Sequence, residues 1–188
     1  MASLGLANVT LAHADVNVLS WDRRFDRVVS LEMFEHLCNY QALMRRIHGW
    51  LQPDGRLFVH IFTHCRYAYP FESEGKDNWM GRHFFTGGLM PSADLLSHFQ
   101  EHLCLESRWQ VEGHHYQRTC EAWLSNLDRR RDDALVVLAS IYGEAEAERW
   151  LQRWRLFFMA CAQLFGYAGG REWQVHHYRF RRRQAAGP

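Results

Sequence analysis

The run FDRVVSL at residues 25–31, a helical stretch from Asn39 to Leu51 and the run RLFVHIF at 56–62 follow one another with short joins, and that order restricts the fold more than any other feature. Each β-branched run reads as a strand. Between them Leu43, Ile47, Trp50 and Leu51 recur at helical spacing, and QPDG at 52–55 supplies turn chemistry to end the helix. Strand, helix, strand with short joins is the rhythm of a parallel sheet, so the fold class is α/β. A further strand is expected upstream, where VTLAHADV at 9–16 sets Val9 and Leu11 among smaller residues before Asp15.

Downstream the pattern changes. From Thr63 to Met90 the chain is rich in aromatics, glycine and histidine without a steady period, and a segment of that length in a compact domain is expected to be functional. After Pro91, SADLLSHFQEHL predicts a helix with Ser92 as its N-cap and Leu95, Leu96 and Phe99 on one face. LESRWQVEG then reads as a strand. The segment from about Gln117 to Tyr167 is mostly helical; its stripe of Ala147, Trp150, Leu151, Trp154, Phe157, Phe158, Cys161, Ala162 and Phe165 is expected to be core. EWQVHHYRF at 172–180 is the last strand.

Composition narrows the function classes. With 188 residues and 47% hydrophobic content the chain can bury one sizeable core, which suits a single domain. Lys plus Arg number 22 against 21 Asp plus Glu, so no long-range attraction to nucleic acid or anionic lipid is expected. The one basic cluster, RFRRR at 179–183, reads as a solvated end. Cys38, Cys65, Cys104, Cys120 and Cys161 are odd in number and never spaced as CxxC, which argues against a disulfide framework or a zinc site and for a reducing compartment. No apolar run approaches the ~20 residues of a membrane span, and MASLGLANVT lacks the features of a secretory signal. The expected location is cytoplasmic.

Ligands of parallel α/β sheets bind at the C-terminal ends of strands, which singles out Asp15, the Glu32–His36 turn and His60. Asp15 reads equally well as a turn or cap residue. Glu32, Glu35 and His36 could be a solvated loop, or could reach one cleft at the strand-to-helix turn. Two close carboxylates raise one another's proton affinity, which favours general-base work near neutral pH.

The blocks FDRVVSLEMFEHLCNY, DGRLFVHIFTH, YPFE, NWMGRHFFTGGLMPSADLL, GHHYQRTCEAWL, ERWLQRWRLFFMACAQLFGY and EWQVHHYRF occur in an order that resembles the coclaurine-type N-methyltransferases of plant alkaloid synthesis and the cyclopropane-fatty-acyl-phospholipid synthases. The resemblance covers the chain from about Leu4 to Arg181. It implies a Rossmann-like, seven-stranded class I methyltransferase sheet with an α-helical cap insertion, here lacking its first two strands and the glycine-rich turn. On that reading, residues 1–62 are sheet core, 63–104 loop and cap region, 105–167 strand and helical cap, and 168–188 final strand and basic tail.

The cofactor implied is S-adenosyl-L-methionine. Glu32, Glu35 and His36 correspond to the EMFEH residues beside the transferred methyl and the substrate amine, and Asp15 to the acidic residue that meets the adenine. The implied function is N-methylation of a small amine, with Glu35 and His36 as base and Glu32 holding the amine or the sulfonium. The alternative is methylene transfer to a lipid, with a bicarbonate ion bound by Glu35, His60, the Ile61 backbone and Tyr116; membrane contact is expected only in that case. A third reading is an inactive fragment that serves as a binding module. The partner would be a missing N-terminal half or a second copy, since an apolar sheet edge would otherwise be exposed.

Overall fold

The computed structural model describes residues 7–75 and 78–184. In chain order the elements are β1 (Phe25–Leu31), α1 (Tyr40–Trp50), β2 (Leu51–His64), β3 (Tyr69–Pro70), α2 (Trp79–His83), β4 (Leu89–Met90), β5 (Leu103–Val111), α3 (Gly113–Arg129), α4 (Arg131–Tyr142), α5 (Glu144–Gly166) and β6 (Trp173–Arg182). Four strands form one sheet in the order β1-β2-β6-β5, and β3 pairs with β4 in a separate ribbon. β1 and β2 run parallel, as their α1 crossover requires. β6 enters between β2 and β5 antiparallel to both, so the sheet is mixed and not wholly parallel.

Strand alternation divides the core between the two faces of the sheet. Leu57, Val59 and Ile61 of β2, with Tyr178 and Phe180 of β6 and Leu103 of β5, are fully buried against Leu43, Met44 and Ile47 of α1. The Tyr178 hydroxyl donates to the Ala93 carbonyl at 2.7 Å, which satisfies its one polar atom in that core. On the other face, Phe62 and Val175 meet Cys120, Cys161 and Phe165 of the long helices. Asn39 caps α1 through its side chain, accepting from the Ala42 amide at 3.0 Å.

Several expectations are corrected. VTLAHADV forms no strand: Val9 and Leu11 are 43% and 78% exposed, and of its larger apolar residues Val16 alone packs against the core. The QPDG residues lie inside β2, in the irregular stretch between the pairs Phe25↔Leu51 and Arg27↔Arg56. The helix expected after Ser92 is a single 3-10 turn at Leu95–His98, because the Ser92 hydroxyl donates to the Asp94 carboxylate at 2.6 Å and caps nothing. Ala93 is held instead by its amide to the His64 carbonyl at 2.9 Å. The RFRRR stretch starts inside β6, where Phe180 is buried and Arg179 pairs with Glu106 on β5 at 3.1 Å, but Arg179, Arg181 and Arg183 are exposed, as the solvated reading expects.

Candidate active site

At the C-terminal end of β1 the chain turns through Glu32, whose φ of +49° lies in the left-handed region that non-glycine residues seldom occupy. Its amide donates to the His60 carbonyl at 3.1 Å, which pins the turn to the end of β2. A 3-10 turn at Phe34–His36 follows. Phe34 is fully buried and stacks on Tyr40, whose hydroxyl donates to the Phe34 carbonyl at 3.0 Å. Burying Phe34 carries its neighbour inward: Glu35 is 1% exposed, while His36 remains exposed.

The electrostatics follow from that placement. Glu35 Oε1 lies 4.0 Å from His36 Nε2, and its Oε2 has no hydrogen-bond partner among the described residues. Burial pushes the Glu35 carboxyl up to about 8, and the nearby Glu32 charge pushes in the same direction. Glu32 Oε1 contacts His60 Nε2 at 2.8 Å, yet the contact is not aligned as a hydrogen bond. His60 Nδ1 in turn lies 2.9 Å from Nε2 of His177 on β6. Tyr116 on α3 is held protonated by burial first and then by the Glu32 charge.

Beside this cluster is a cavity of about 520 Å³ whose wall includes Phe62, Phe71, Trp79, Phe85, Tyr116 and Phe157. The 63–90 segment contributes one side and α3 with α5 the other, so the aperiodic stretch of the sequence is cavity wall. The carboxylates are not themselves part of that lining. The two regions join at Tyr116, which feels both Glu32 and Glu35, and at Phe85, whose ring stacks on His36 with centroids 6.2 Å apart.

Glu32, Glu35, His36, His60 and Tyr116 are thus brought together from β1, β2 and α3. Asp15 is not: it is exposed and serves its own turn, its carboxylate accepting from the Asn17 amide at 2.8 Å and its carbonyl from the Leu19 amide at 2.9 Å. His177, Phe157 and Phe165 were legible only as strand and core residues, yet His177 joins the polar cluster and the two phenylalanines line the cavity. The pairing of His60 with His177 depends on β2–β6 register, which no local pattern carries.

A second group of metal-ligand types, His64, Cys65 and Glu172, also converges. Its hydrogen bonds argue against metal. His64 Nδ1 accepts from the Arg66 and Tyr67 amides at 3.0 and 2.9 Å, so Nε2 carries the proton and donates to Glu172 at 3.1 Å. Both nitrogens are occupied, and the imidazole acts as a hub that folds the turn after β2.

A mixed α/β sheet with acidic residues at a parallel strand's C-terminal end, under a helical cap, is similar to the fold of class I S-adenosylmethionine methyltransferases. The structure of coclaurine N-methyltransferase bound to N-methylheliamine and SAH superposes with a TM-score of 0.87 at 32% identity, covering 96% of this chain and 55% of that one. Residues 6–175 match the profile of the mycolic acid cyclopropane synthetase family, and the chain belongs to that family. The (S)-coclaurine N-methyltransferase of Papaver somniferum is 36% identical over 183 residues, covering 96% of this chain and 52% of that protein. The cyclopropane-fatty-acyl-phospholipid synthase of Escherichia coli (strain K12) is 28% identical over 169 residues, covering 86% and 41%. The chain spans about half the length of the curated relatives it matches.

Proposed function

We propose that this chain supplies the carboxylate half of the active site of an S-adenosylmethionine-dependent methyltransferase that N-methylates a small amine. The observation that carries this reading is Glu35: a fully buried carboxyl, poised to change protonation near neutral pH, beside an aromatic cavity of a small molecule's size. An amine arrives as an ammonium ion and must lose a proton to expose its lone pair. A carboxyl raised to about 8 is close enough to an ammonium to accept that proton once it has given up its own. His36, exposed and 4.0 Å from Glu35, offers the route onward to solvent.

The bound cofactor would supply an electrophilic methyl group and its own leaving group. The residues present suit a cationic ligand: Glu32 Oε1 and Glu35 Oε2 are both buried without a hydrogen-bond partner. Glu32 would hold the sulfonium or the amine, and the cavity aromatics would face a ring or a cation, contributing about 0.5–2 kcal/mol each. Asp15, exposed and engaged by Asn17, supports the adenine role less well than the motif suggested. We read the four strands as part of the seven-stranded sheet. The relatives' length supports this, as does the outer side of β1, unpaired among the described residues, where Val29 and Leu31 are each 61% exposed.

The lipid reading has one structural support. Glu35, His60 and Tyr116 converge where a small anion such as bicarbonate would be bound, whereas the Ile61 backbone faces β6 and pairs there with His176. The amine reading is preferred because the alkaloid enzymes match at higher identity over more of the chain.

Calorimetric titration with S-adenosylhomocysteine tests the proposal, using residues 1–188 and a chain extended upstream in the same reading frame. Binding by either supports the reading, and binding by neither overturns it. In whichever form turns over, Glu35→Gln is expected to lower kcat by about 10²–10⁴-fold; wild-type turnover would remove Glu35 from the base role.

A further inference from the structure

His60 and His177 face each other across the β2–β6 pair, in register, with Nδ1 and Nε2 2.9 Å apart. Two imidazole nitrogens at that distance share one hydrogen: one ring donates and the other must present a lone pair. If both rings were cationic, every nitrogen would carry a proton and N–H would oppose N–H. The pair therefore holds one positive charge readily and a second only with difficulty. Glu32 decides where the first charge resides, because its carboxylate touches the far nitrogen of His60 at 2.8 Å. A cationic His60 directs Nδ1–H to His177 and holds its charge 2.8 Å from the Glu32 carboxylate, a contact of charges and not an aligned hydrogen bond.

We propose that His177 is a positioning residue of the site: by accepting the Nδ1–H of His60, it stabilises the His60 cation against Glu32 and sets the pH at which Glu32 becomes available to an incoming cationic ligand. The inference rests on the reading of Glu32 as the group that meets a sulfonium or an ammonium. With His60 cationic, Glu32 is neutralised from within the protein; with His60 neutral, the carboxylate is free to hold the ligand's charge.

The surroundings leave this pair electrically distinct. His177 is half-buried, its ring against Phe58 with centroids 5.2 Å apart, and it sits opposite Trp109 of β5. Burial and the neighbouring His60 both lower its proton affinity, which keeps it the acceptor. From β1, Glu32 faces His60; from α3, Tyr116 faces Glu32; Glu35 lies beside Glu32 in the same turn. Other charges on this side of the sheet are engaged elsewhere. Arg56 and Arg179 bind Glu106 at 2.8 and 3.1 Å, and Arg27 donates to the Asp26 carbonyl at 2.7 Å.

Imidazole ¹⁵N NMR across pH on the 188-residue chain tests the proposal, with His177→Phe and His177→Gln as variants. In the wild type, the cationic state of His60 should show a protonated Nδ1 facing an unprotonated Nε2 of His177. His177→Phe removes the acceptor and should lower the His60 midpoint by about one pH unit, a tenfold change in proton affinity. His177→Gln, whose amide oxygen accepts a hydrogen bond, should recover at least half of that shift. A His177 Nε2 that stays protonated throughout, or a His60 midpoint unmoved or raised in the phenylalanine variant, overturns the proposal. The wild-type signature is decisive even if a variant fails to fold. Failure of the methyltransferase reading is separately visible, since it would leave these titrations intact while S-adenosylhomocysteine fails to bind.

Discussion

At the scale of single residues, the cost of the site is concentrated in Glu35. Its carboxyl has an ordinary value near 4.5 and is raised to about 8 by burial, so between those values the unfolded chain ionises while the folded one retains its proton. Stability contributed by the protonated form is fully present below about 4.5, falls as pH rises through that window, and levels off above about 8. A thermal-denaturation series should therefore show the melting temperature falling from pH 5 to pH 9. Glu35→Gln, which mimics the protonated shape, should flatten the series and stabilise the chain at pH 9 by about 2–4 kcal/mol. Equal pH dependence in wild type and variant would show that the carboxyl is not held neutral by burial.

At the scale of elements, the approach of α3 to the end of β6 places Tyr116 at the junction of cavity and carboxylates. Gly113, the first residue of α3, donates its amide to the Gly170 carbonyl at 2.8 Å, and a methyl group there would collide with the backbone carbonyl oxygens of Trp173 and Phe165. Gly113→Ala should destabilise the chain by roughly 1–3 kcal/mol, read as a lower midpoint in urea, because backbone on two sides must move. By contrast, Gly87→Ala meets no neighbouring atom but sits at φ +77°, so its smaller loss, about 1 kcal/mol, would come from backbone strain alone. A larger loss at Gly87 than at Gly113 would contradict this account of how the cap is seated.

For the whole molecule, the decisive feature is β1 as an edge strand. Its outer side carries no partner among the described residues, and Val29 and Leu31, on the sheet face shared with Phe58 and His60, are each 61% exposed. An unpaired apolar edge recruits another strand. The 188-residue chain by itself should associate with rising concentration in sedimentation velocity, and Val29→Lys should shift it toward monomer. A chain that stays monomeric at high concentration would argue that this edge is not a pairing surface. No helix among the described residues is long and apolar enough to cross a membrane.

The sequence alone determined the α/β class, the helix between β1 and β2, the long helical segment and the grouping of Glu32, Glu35 and His36, because each is written in local spacing and in motif spelling. It misplaced VTLAHADV and the helix after Ser92. Alternation and capping chemistry state what a segment could do, whereas burial depends on which surface is offered to it. Tertiary structure decided the mixed sheet order, the burial of Glu35 behind Phe34, and the meeting of His60 with His177, residues 117 positions apart. A proton affinity is set by neighbours and by exclusion of water, and neither exists until β1, β2, β6 and α3 have converged on one place.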